Sequence, residues 1–105
     1  METNAVLDAL GDPTRRAICE HLAGGALAVG ALAAQLPVSR PAVSQHLKVL
    51  KAAGLVRDRP DGNRRLYALD PEGLTGMHAW LDRVWSDALS AFKAAAEQPA
   101  QEETW

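Results

Sequence analysis

Apolar residues recur at helical spacing along most of this chain, and glycine and proline divide the pattern into separate segments. The first three predicted helices cover residues 3 or 4 to 10, 13 to 22, and 28 to 36. Gly11 ends the first helix, and Asp12 followed by Pro13 is typical of an N-cap and the first position of the second. Pro37 interrupts the third helix.

A fourth helix, predicted from Ser39 to Ala53, has two different faces. Ser39 can cap it by accepting a hydrogen bond from a backbone N–H of the first turn. The face predicted to be buried carries Val43, Leu47 and Leu50. The opposite face is polar and basic, and it carries Pro41, Ser44, Gln45 and Lys48. Such side chains can reach base edges and phosphates in a major groove, so the pattern favours DNA binding.

A β-hairpin is predicted directly after this helix, which Gly54 ends. Residues 55 to 60 and 64 to 69 have strand character, and Asp61, Gly62 and Asn63 form the turn between them. The unit is therefore helix, tight turn, helix and a hairpin wing. The predicted fold is mainly α with a small β-hairpin, ordered as four helices, two strands and a fifth helix.

The fifth helix begins at Pro71 or Glu72, runs to about Glu97, and carries a wide apolar stripe. This is more apolar surface than a lone exposed helix carries, so we expect a partner chain to cover it, with the first helix in the same interface. The residues expected in this homodimer interface are Val6, Leu7, Leu10, Met77, Trp80, Leu81, Val84, Trp85, Ala88, Leu89 and Phe92.

Length and composition indicate one domain. The 105 residues are 48% apolar, which suits a single core, and we assign residues 1–97 to the domain and 98–105 to a disordered acidic tail. No apolar run is long enough to span a bilayer and no secretion signal is recognisable, so we expect no membrane association and a cytoplasmic location. The single cysteine, Cys19, cannot form an internal disulfide and is expected to pack as a small core residue.

Charge is distributed unevenly, although the net charge is only −2. The basic segment, residues 40–65, holds seven basic and two acidic side chains, a local balance of +5. The remainder holds four basic and eleven acidic side chains, a balance of −7. Because counterion release depends on the contacting face, a basic segment on an acidic body is compatible with binding to DNA phosphates.

Three segments, LGDPTRRAICEHL, PVSRPAVSQHLKVLKAAGLV and DGNRRLYALDP, resemble in order and spacing the ArsR/SmtB family of bacterial winged helix-turn-helix repressors. The resemblance implies a symmetric homodimer that binds a palindromic double-stranded DNA operator and represses transcription. It further implies that the fourth helix enters the major groove, that the wing contacts the DNA backbone or minor groove, and that the terminal helices dimerise. Activation instead of repression stays open, because promoter geometry decides between them.

Nine residues are predicted to contact DNA: Ser39, Arg40, Pro41, Ser44, Gln45, His46, Lys48, Arg64 and Arg65. Ser44 and Gln45 are the first choices for base edges, because a hydroxyl and an amide can pair with purines. Arg40 suits guanine or phosphate, Lys48 suits phosphate, and Pro41 can touch a thymine methyl. His46 borders the buried face, so it either binds a phosphate or supports the fold. Arg64 and Arg65 are stronger wing candidates than the two arginines of the preceding strand.

The sequence departs from the family's metal-sensing members. Residues 28–31 read AVGA where those members often carry a Cys-x-Cys site, so we expect no metal and no cofactor. His78 and Asp82 are weak candidates for a site on the last helices. Two alternatives stay open: a metal-responsive regulator that uses these residues together with a partner chain, and a protein-interaction module. No phosphate loop or nucleophile motif is present, so we predict that the chain is not an enzyme.

Overall fold

The computed structural model describes residues 3–97, which form five helices and three short strands. The helices are α1 (Thr3–Ala9), α2 (Pro13–Leu22), α3 (Val29–Ala34), α4 (Arg40–Ala52) and α5 (Pro71–Ala96). The strands are β1 (Leu27–Ala28), β2 (Val56–Asp61) and β3 (Arg64–Leu69). The predicted mainly α fold with a hairpin is confirmed. The predicted acidic tail, residues 98–105, lies outside the described residues.

Three helices begin with the same device, an oxygen-bearing N-cap followed by proline in the first turn. The Asp12 carboxylate accepts hydrogen bonds from the backbone N–H groups of Thr14 at 2.8 Å and Arg15 at 3.1 Å. The Ser39 hydroxyl and the Asp70 carboxylate cap α4 and α5 in the same way. Because capping satisfies N–H groups that have no partner within a helix, these short motifs determine where each helix begins. The starts predicted for α2, α4 and α5 are confirmed.

The sheet contains one strand that the sequence pattern did not predict. Leu27 and Ala28 pair antiparallel with Tyr67 and Leu66, which gives the strand order β1-β3-β2. The third helix therefore begins at Val29, one residue later than predicted, and ends at Ala34. Two residues carry no readable periodicity, and their partner strand lies about forty positions away in the chain, as the register shows. This pairing is therefore a tertiary contact that holds the base of the hairpin against α3.

One apolar core within residues 3–97 joins the four helices α1, α2, α3 and α4 and the base of the hairpin. Its buried members are Val6, Ala9, Ile18, Leu22, Leu32, Val43, Leu47, Leu50, Ala53, Leu55 and Val56. Cys19 is half-buried against this core, and burial raises the pKa of its thiol, in agreement with the predicted packing role. Val6 requires a correction, because it was predicted to lie at a partner interface. Its side chain is only 2% exposed within its own core and offers no surface to a partner.

The first turn of α5 packs directly on the turn between α4 and β2. The Asp70 backbone N–H donates to the Leu55 carbonyl at 2.8 Å. A Cβ on Gly73 would overlap the carbonyl oxygen of Gly54 and lie 2.9 Å from its carbonyl carbon. Gly54 itself has a φ of 81°, a left-handed conformation that favours glycine. The direction in which α5 leaves the domain therefore depends on two facing glycines.

We predict that Gly73→Ala destabilises the protein by about 1–3 kcal/mol, because the added methyl group can be accommodated only by moving the backbone of the turn. Gly76→Ala is the matched control in the same helix, since a Cβ there meets nothing within 4 Å. That control should raise the free energy of unfolding by about 0.5–1 kcal/mol. Urea unfolding measures both changes. Equal stability of the two variants would contradict the close packing of α5 on the turn.

Candidate nucleic-acid interface

Helix α4 separates an apolar side from a polar side. Its three buried residues, Val43, Leu47 and Leu50, are at most 1% exposed and belong to the core. On the other side, Ser44 is half-buried, and the exposed residues are Pro41, Gln45 and Lys48. Positions 41, 44, 45 and 48 follow helical spacing, so they share one accessible surface, the polar face of α4. The structure thus brings together four of the predicted DNA-contacting residues.

Ser39 and Arg40 stand at the start of α4, next to this polar face. The Ser39 hydroxyl accepts a hydrogen bond from the Ala42 backbone N–H at 3.3 Å, so it acts as the N-cap. Arg40 is exposed and forms no ion pair with another residue in the range 3–97. Of these two residues predicted to contact DNA, Arg40 is the one whose charged group is not engaged in an ion pair within residues 3–97.

His46 lies on the border of the polar face, and its neighbour is an arginine of α2. The Arg15 guanidinium nitrogen Nη1 lies 3.5 Å from His46 Nδ1, and Arg15 Nε donates to the Ala9 carbonyl at 2.6 Å. Arg16 Nη1 donates to the Leu10 carbonyl at 2.7 Å. Both arginines therefore satisfy carbonyl groups at the end of α1, where a helix has no internal partners. The sequence does not reveal these contacts, because two adjacent cations give no sign of which carbonyls they will meet.

The wing, residues 56–69, has one face toward the core and one toward solvent. Val56, Tyr67 and Leu69 lie on the face that packs against the core. Because side chains alternate along a strand, Arg57 and Arg59 lie on the opposite face, and both are exposed. The register pairs Asp61 with Arg64 on the outer face, whereas Arg65 pairs with Pro60 on the core side near the tip. The four arginines of the wing therefore divide into three outer ones and one inner one.

The two arginines predicted to anchor the wing are both paired with acids of the same hairpin. Arg64 contacts Asp61 Oδ2 at 3.1 Å, and Arg65 Nε donates to Asp58 Oδ2 at 2.8 Å. The other oxygen of Asp58, Oδ1, lies 2.8 Å from Lys51 Nζ in the last turn of α4. These pairs leave Arg64 and Arg65 more than half exposed, so their guanidinium groups are reachable although partly neutralised.

Arg57 and Arg59 form no ion pair within the described part of the chain. Sequence reasoning ranked them below Arg64 and Arg65, because it weighed distance from the turn and not the partners of each arginine. Strand alternation in the segment RDRPD could have given part of this answer, because it puts Asp58 on the opposite face from Arg57 and Arg59. The joint contact of Lys51 and Arg65 with one carboxylate was not readable, since it depends on how the hairpin folds back on α4.

Known proteins with similar sequences include helix-turn-helix transcriptional regulators. Residues 10–59 match the helix-turn-helix domain family HTH_20. The HTH-type transcriptional regulator Rv2034 of Mycobacterium tuberculosis is 66% identical over 84 residues, which is 80% of this chain and 78% of that protein. The transcriptional repressor SdpR of Bacillus subtilis is 36% identical over 78 residues, covering 74% of this chain and 87% of the repressor.

Two solved structures share the fold. An ArsR-like transcriptional regulator from Rhodococcus sp. RHA1 superposes with a TM-score of 0.79 at 32% identity, covering 96% of this chain and 94% of that one. The homodimeric winged helix-turn-helix domain of Mb0332 from Mycobacterium bovis, described as a possible ArsR-family regulator, has a TM-score of 0.66 at 31% identity and covers 84% and 82%. The chain belongs to the ArsR/SmtB family of winged helix-turn-helix transcriptional regulators.

Because these relatives are named regulators and repressors, the prediction that this ArsR/SmtB protein is not an enzyme is confirmed. The resemblance of the three sequence segments to this family is confirmed as well. Within residues 3–97 of the regulator, no helix combines the length and hydropathy that a bilayer span requires.

A second exposed surface of the regulator is apolar and lies on α5. Leu81, Val84, Trp85, Leu89 and Phe92 are between 45% and 67% exposed, and Ala88 is exposed beside them. Met77 and Trp80 are half-buried nearer the start of the helix. From α1, Leu7 is exposed and Leu10 is half-buried. The predicted interface residues other than Val6 therefore keep surface available in the single chain.

On α5 of the regulator, His78 Nδ1 lies 3.4 Å from Asp82 Oδ2, and both side chains are largely exposed. The described residues bring together no group of three or more His, Cys, Asp or Glu side chains that could hold a metal ion. The pair by itself supplies two potential ligands, fewer than the three or four protein ligands of a typical zinc site.

Asp58 is the acid of the site with a distinct electrostatic environment. Its side chain is 9% exposed, and each carboxylate oxygen faces a cation. The hydrogen bonds from Lys51 and then Arg65 lower the pKa of Asp58 below the ordinary value of 3.8. A carboxyl group whose pKa is lower in the folded than in the unfolded chain stabilises the fold above its unfolded pKa. That contribution is lost as the pH falls through the folded pKa.

We therefore predict that the stability difference between the unchanged regulator and Asp58→Asn is largest near neutral pH and decreases below about pH 4. Denaturant unfolding at a series of pH values measures this difference. In a Lys51→Met, Arg65→Met background, the same substitution should show a much smaller pH dependence, because the cations that lower the pKa are absent. A difference that is constant from neutral pH to the acid limit would contradict the assignment.

Proposed function

We propose that the regulator binds a palindromic DNA operator as a homodimer and represses transcription. The observation that carries the proposal is the polar face of α4, which stays exposed because the other side of the helix is buried in the core. It lies within a basic segment with a balance of +5, next to an arginine-rich hairpin. A helix of this kind fits the width of the major groove.

On the polar face, Ser44 and Gln45 are proposed to read base edges. The Gln45 amide can make a bidentate contact with adenine, and the Ser44 hydroxyl can donate or accept. Arg40 and Lys48, at the two ends of the face, are proposed to contact guanine or phosphate, and Pro41 to contact a thymine methyl. Ser39 and His46 border the face. The contact of Ser39 with Ala42 supports a capping role, and the contact of His46 with Arg15 supports a role in fixing α4 against α2.

In the wing, Arg57 and Arg59 are proposed as phosphate contacts in addition to Arg64 and Arg65. Their exposure and lack of acidic partners within residues 3–97 mean that DNA does not have to displace a carboxylate to reach them. Arg64 and Arg65 already share charge with Asp61 and Asp58. Each phosphate contact releases counterions, so uncommitted cations contribute most to the salt dependence of binding.

Dimerisation is proposed through the apolar face of α5, joined by Leu7 and Leu10 of α1. Five large apolar side chains of one helix stand about half exposed, which is costly in water and is relieved by a second copy of the chain. The description of the Mb0332 domain as homodimeric supports this arrangement. Two α4 helices related by twofold symmetry would read half-sites about one DNA turn apart, roughly 34 Å. The repressor SdpR among the relatives supports repression.

The proposal is tested by selecting bound sequences from random duplex DNA at near-physiological salt, with light scattering to measure the mass in solution. We expect a dimer and an enriched palindrome. A chain that pairs with itself but enriches no sequence would favour a protein-interaction module. Enrichment of an asymmetric single site by a monomer would contradict the proposed dimer.

Gln45→Ala should lose roughly 1–3 kcal/mol of discrimination at one base position of each half-site, because one direct contact disappears. Lys48→Ala is the contrast on the same face. It should weaken binding to all sequences and lower the salt slope by about 1 without altering base preference. Affinities for the selected operator and its single-base variants measure both effects. Unchanged preference in Gln45→Ala would remove this residue from base recognition.

The Arg57→Ala, Arg59→Ala double variant should flatten the dependence of log affinity on log salt by about 0.9 for each phosphate that the wing no longer neutralises. Arg83→Ala with Lys93→Ala removes the same charge from α5 and serves as the control. Titrations of the selected operator at several salt concentrations give the slopes. A slope equal to that of the control would exclude the outer face of the wing from DNA binding.

A further inference from the structure

The acid Asp58 lies in the middle of the basic segment, where a negative charge weakens the electrostatic attraction to DNA phosphates. Its negative charge offsets cations that lie close to the proposed DNA-binding surface, and its two oxygens engage Lys51 and Arg65. A group that weakens phosphate attraction in a DNA-binding segment needs a different physical role.

The geometry of these contacts links two separate elements. Lys51 belongs to the last turn of α4, and Arg65 belongs to β3 near the tip of the wing. Asp58 lies in β2, diagonally across the hairpin from Arg65 on the same face. The carboxylate is only 9% exposed, whereas the cations are 55% and 54% exposed. The acid is therefore the fixed centre of the cluster, and it holds the end of α4 and both strands of the wing together.

Few other contacts restrain the outer half of the wing. The third strand, β1, pairs only with Leu66 and Tyr67, at the base of the hairpin. From position 60 to 65 the two long strands pair with each other alone among the described residues. Within residues 3–97, no other ion pair joins the wing to α4. The angle between the hairpin tip and α4 is therefore set in large part by the contacts of one carboxylate.

We propose that Asp58 is a positioning residue for operator recognition, which fixes the wing at one angle to α4 so that both reach their DNA contacts in a single register. This inference rests on the proposed function, in which α4 reads bases and the wing contacts the backbone. Without the carboxylate, the wing can still attract phosphates anywhere along a duplex. Its phosphate contacts no longer form preferentially in the one register in which α4 also contacts the correct bases. Specificity therefore falls more than affinity.

The test compares three variants chosen for their charge and a fourth, Asp58→Glu, that keeps the charge. Asp58→Asn removes one negative charge, and Lys51→Met removes one positive charge while keeping an apolar stem. Asp61→Asn removes one negative charge at the tip of the wing, where, within residues 3–97, the ion pair of this acid is with Arg64 of the same hairpin. Each variant of the 105-residue chain is first checked for folding by circular dichroism and for its mass by light scattering. Each is then titrated with the duplex selected by the unchanged regulator and with a scrambled duplex of the same length.

We expect Asp58→Asn and Lys51→Met both to lower the ratio of selected to scrambled affinity by at least about tenfold, the scale of a single mismatched base pair. Asp61→Asn should strengthen both affinities by a similar factor and keep the ratio. Asp58→Asn and Lys51→Met change the net charge in opposite directions. A purely electrostatic role predicts opposite effects of the two variants, whereas a positioning role predicts that both lower specificity. Asp58→Glu, which keeps the charge, should retain part of the ratio.

Two results would overturn the inference. One is an unchanged ratio in Asp58→Asn, and the other is an effect of Asp61→Asn equal to that of Asp58→Asn. Failure of the unchanged regulator to prefer any duplex would instead overturn the proposed function, so the two failures are distinguishable. If Asp58→Asn does not fold, Lys51→Met alone decides, because it breaks the link to α4 and leaves the hairpin pair intact.

Discussion

Burial of one side of α4 is the interaction on which the candidate interface depends. Val43, Leu47 and Leu50 are almost completely removed from solvent. Each buried side chain of this kind contributes about 1.5–3 kcal/mol, so rotating the helix about its axis would lose several kcal/mol at once. The polar face gains no comparable free energy from burial. It therefore stays in solvent as long as the three apolar residues remain buried. The orientation of the polar face of α4 is thus determined by packing on the opposite side of the helix.

The charged groups of the site are arranged by a different principle. The wing has an excess of arginine, yet its two acids are placed to engage Arg64 and Arg65, and Asp58 also engages Lys51. Exposed ion pairs contribute little to stability, whereas a nearly buried carboxylate with two cations restricts the geometry more, and removing one partner leaves the other charge uncompensated. A count of positive charges therefore overstates how many of them are uncommitted. Of the three outer arginines of the wing, Arg57 and Arg59 provide the uncommitted charge, since Arg64 is paired with Asp61.

Helix α5 combines a firm attachment with an exposed apolar length. Its first turn is held by the close approach of Gly73 to Gly54 and by the hydrogen bond from Asp70 to Leu55. From position 81 to 97 every residue is exposed in the single chain. The attachment directs this apolar face away from the domain core, where a second copy can reach it. The same two glycines thus connect the turn between α4 and the wing to the surface proposed for dimerisation.

Local signals in the sequence determined much of this architecture. Short N-cap and proline motifs predict where helices begin, because capping needs only neighbouring residues. These motifs are Asp12–Pro13, Ser39 with Pro41, and Asp70–Pro71. The period of Val43, Leu47 and Leu50 likewise predicts which side of α4 is buried, and with it the polar face. The family resemblance rests on the same short segments. What the sequence predicted well is therefore what a few consecutive residues can encode.

The tertiary structure decided the features that depend on distant partners. Strand β1 exists only because β3 lies beside it, and Val6 belongs to the protomer's core because α1 docks with that side inward. The division of the arginines into engaged and uncommitted ones follows from the hairpin register and from the fold of the wing onto α4. Spacing along a chain states which residues share a face, but only packing brings Lys51, Asp58 and Arg65 within hydrogen-bond distance of one another.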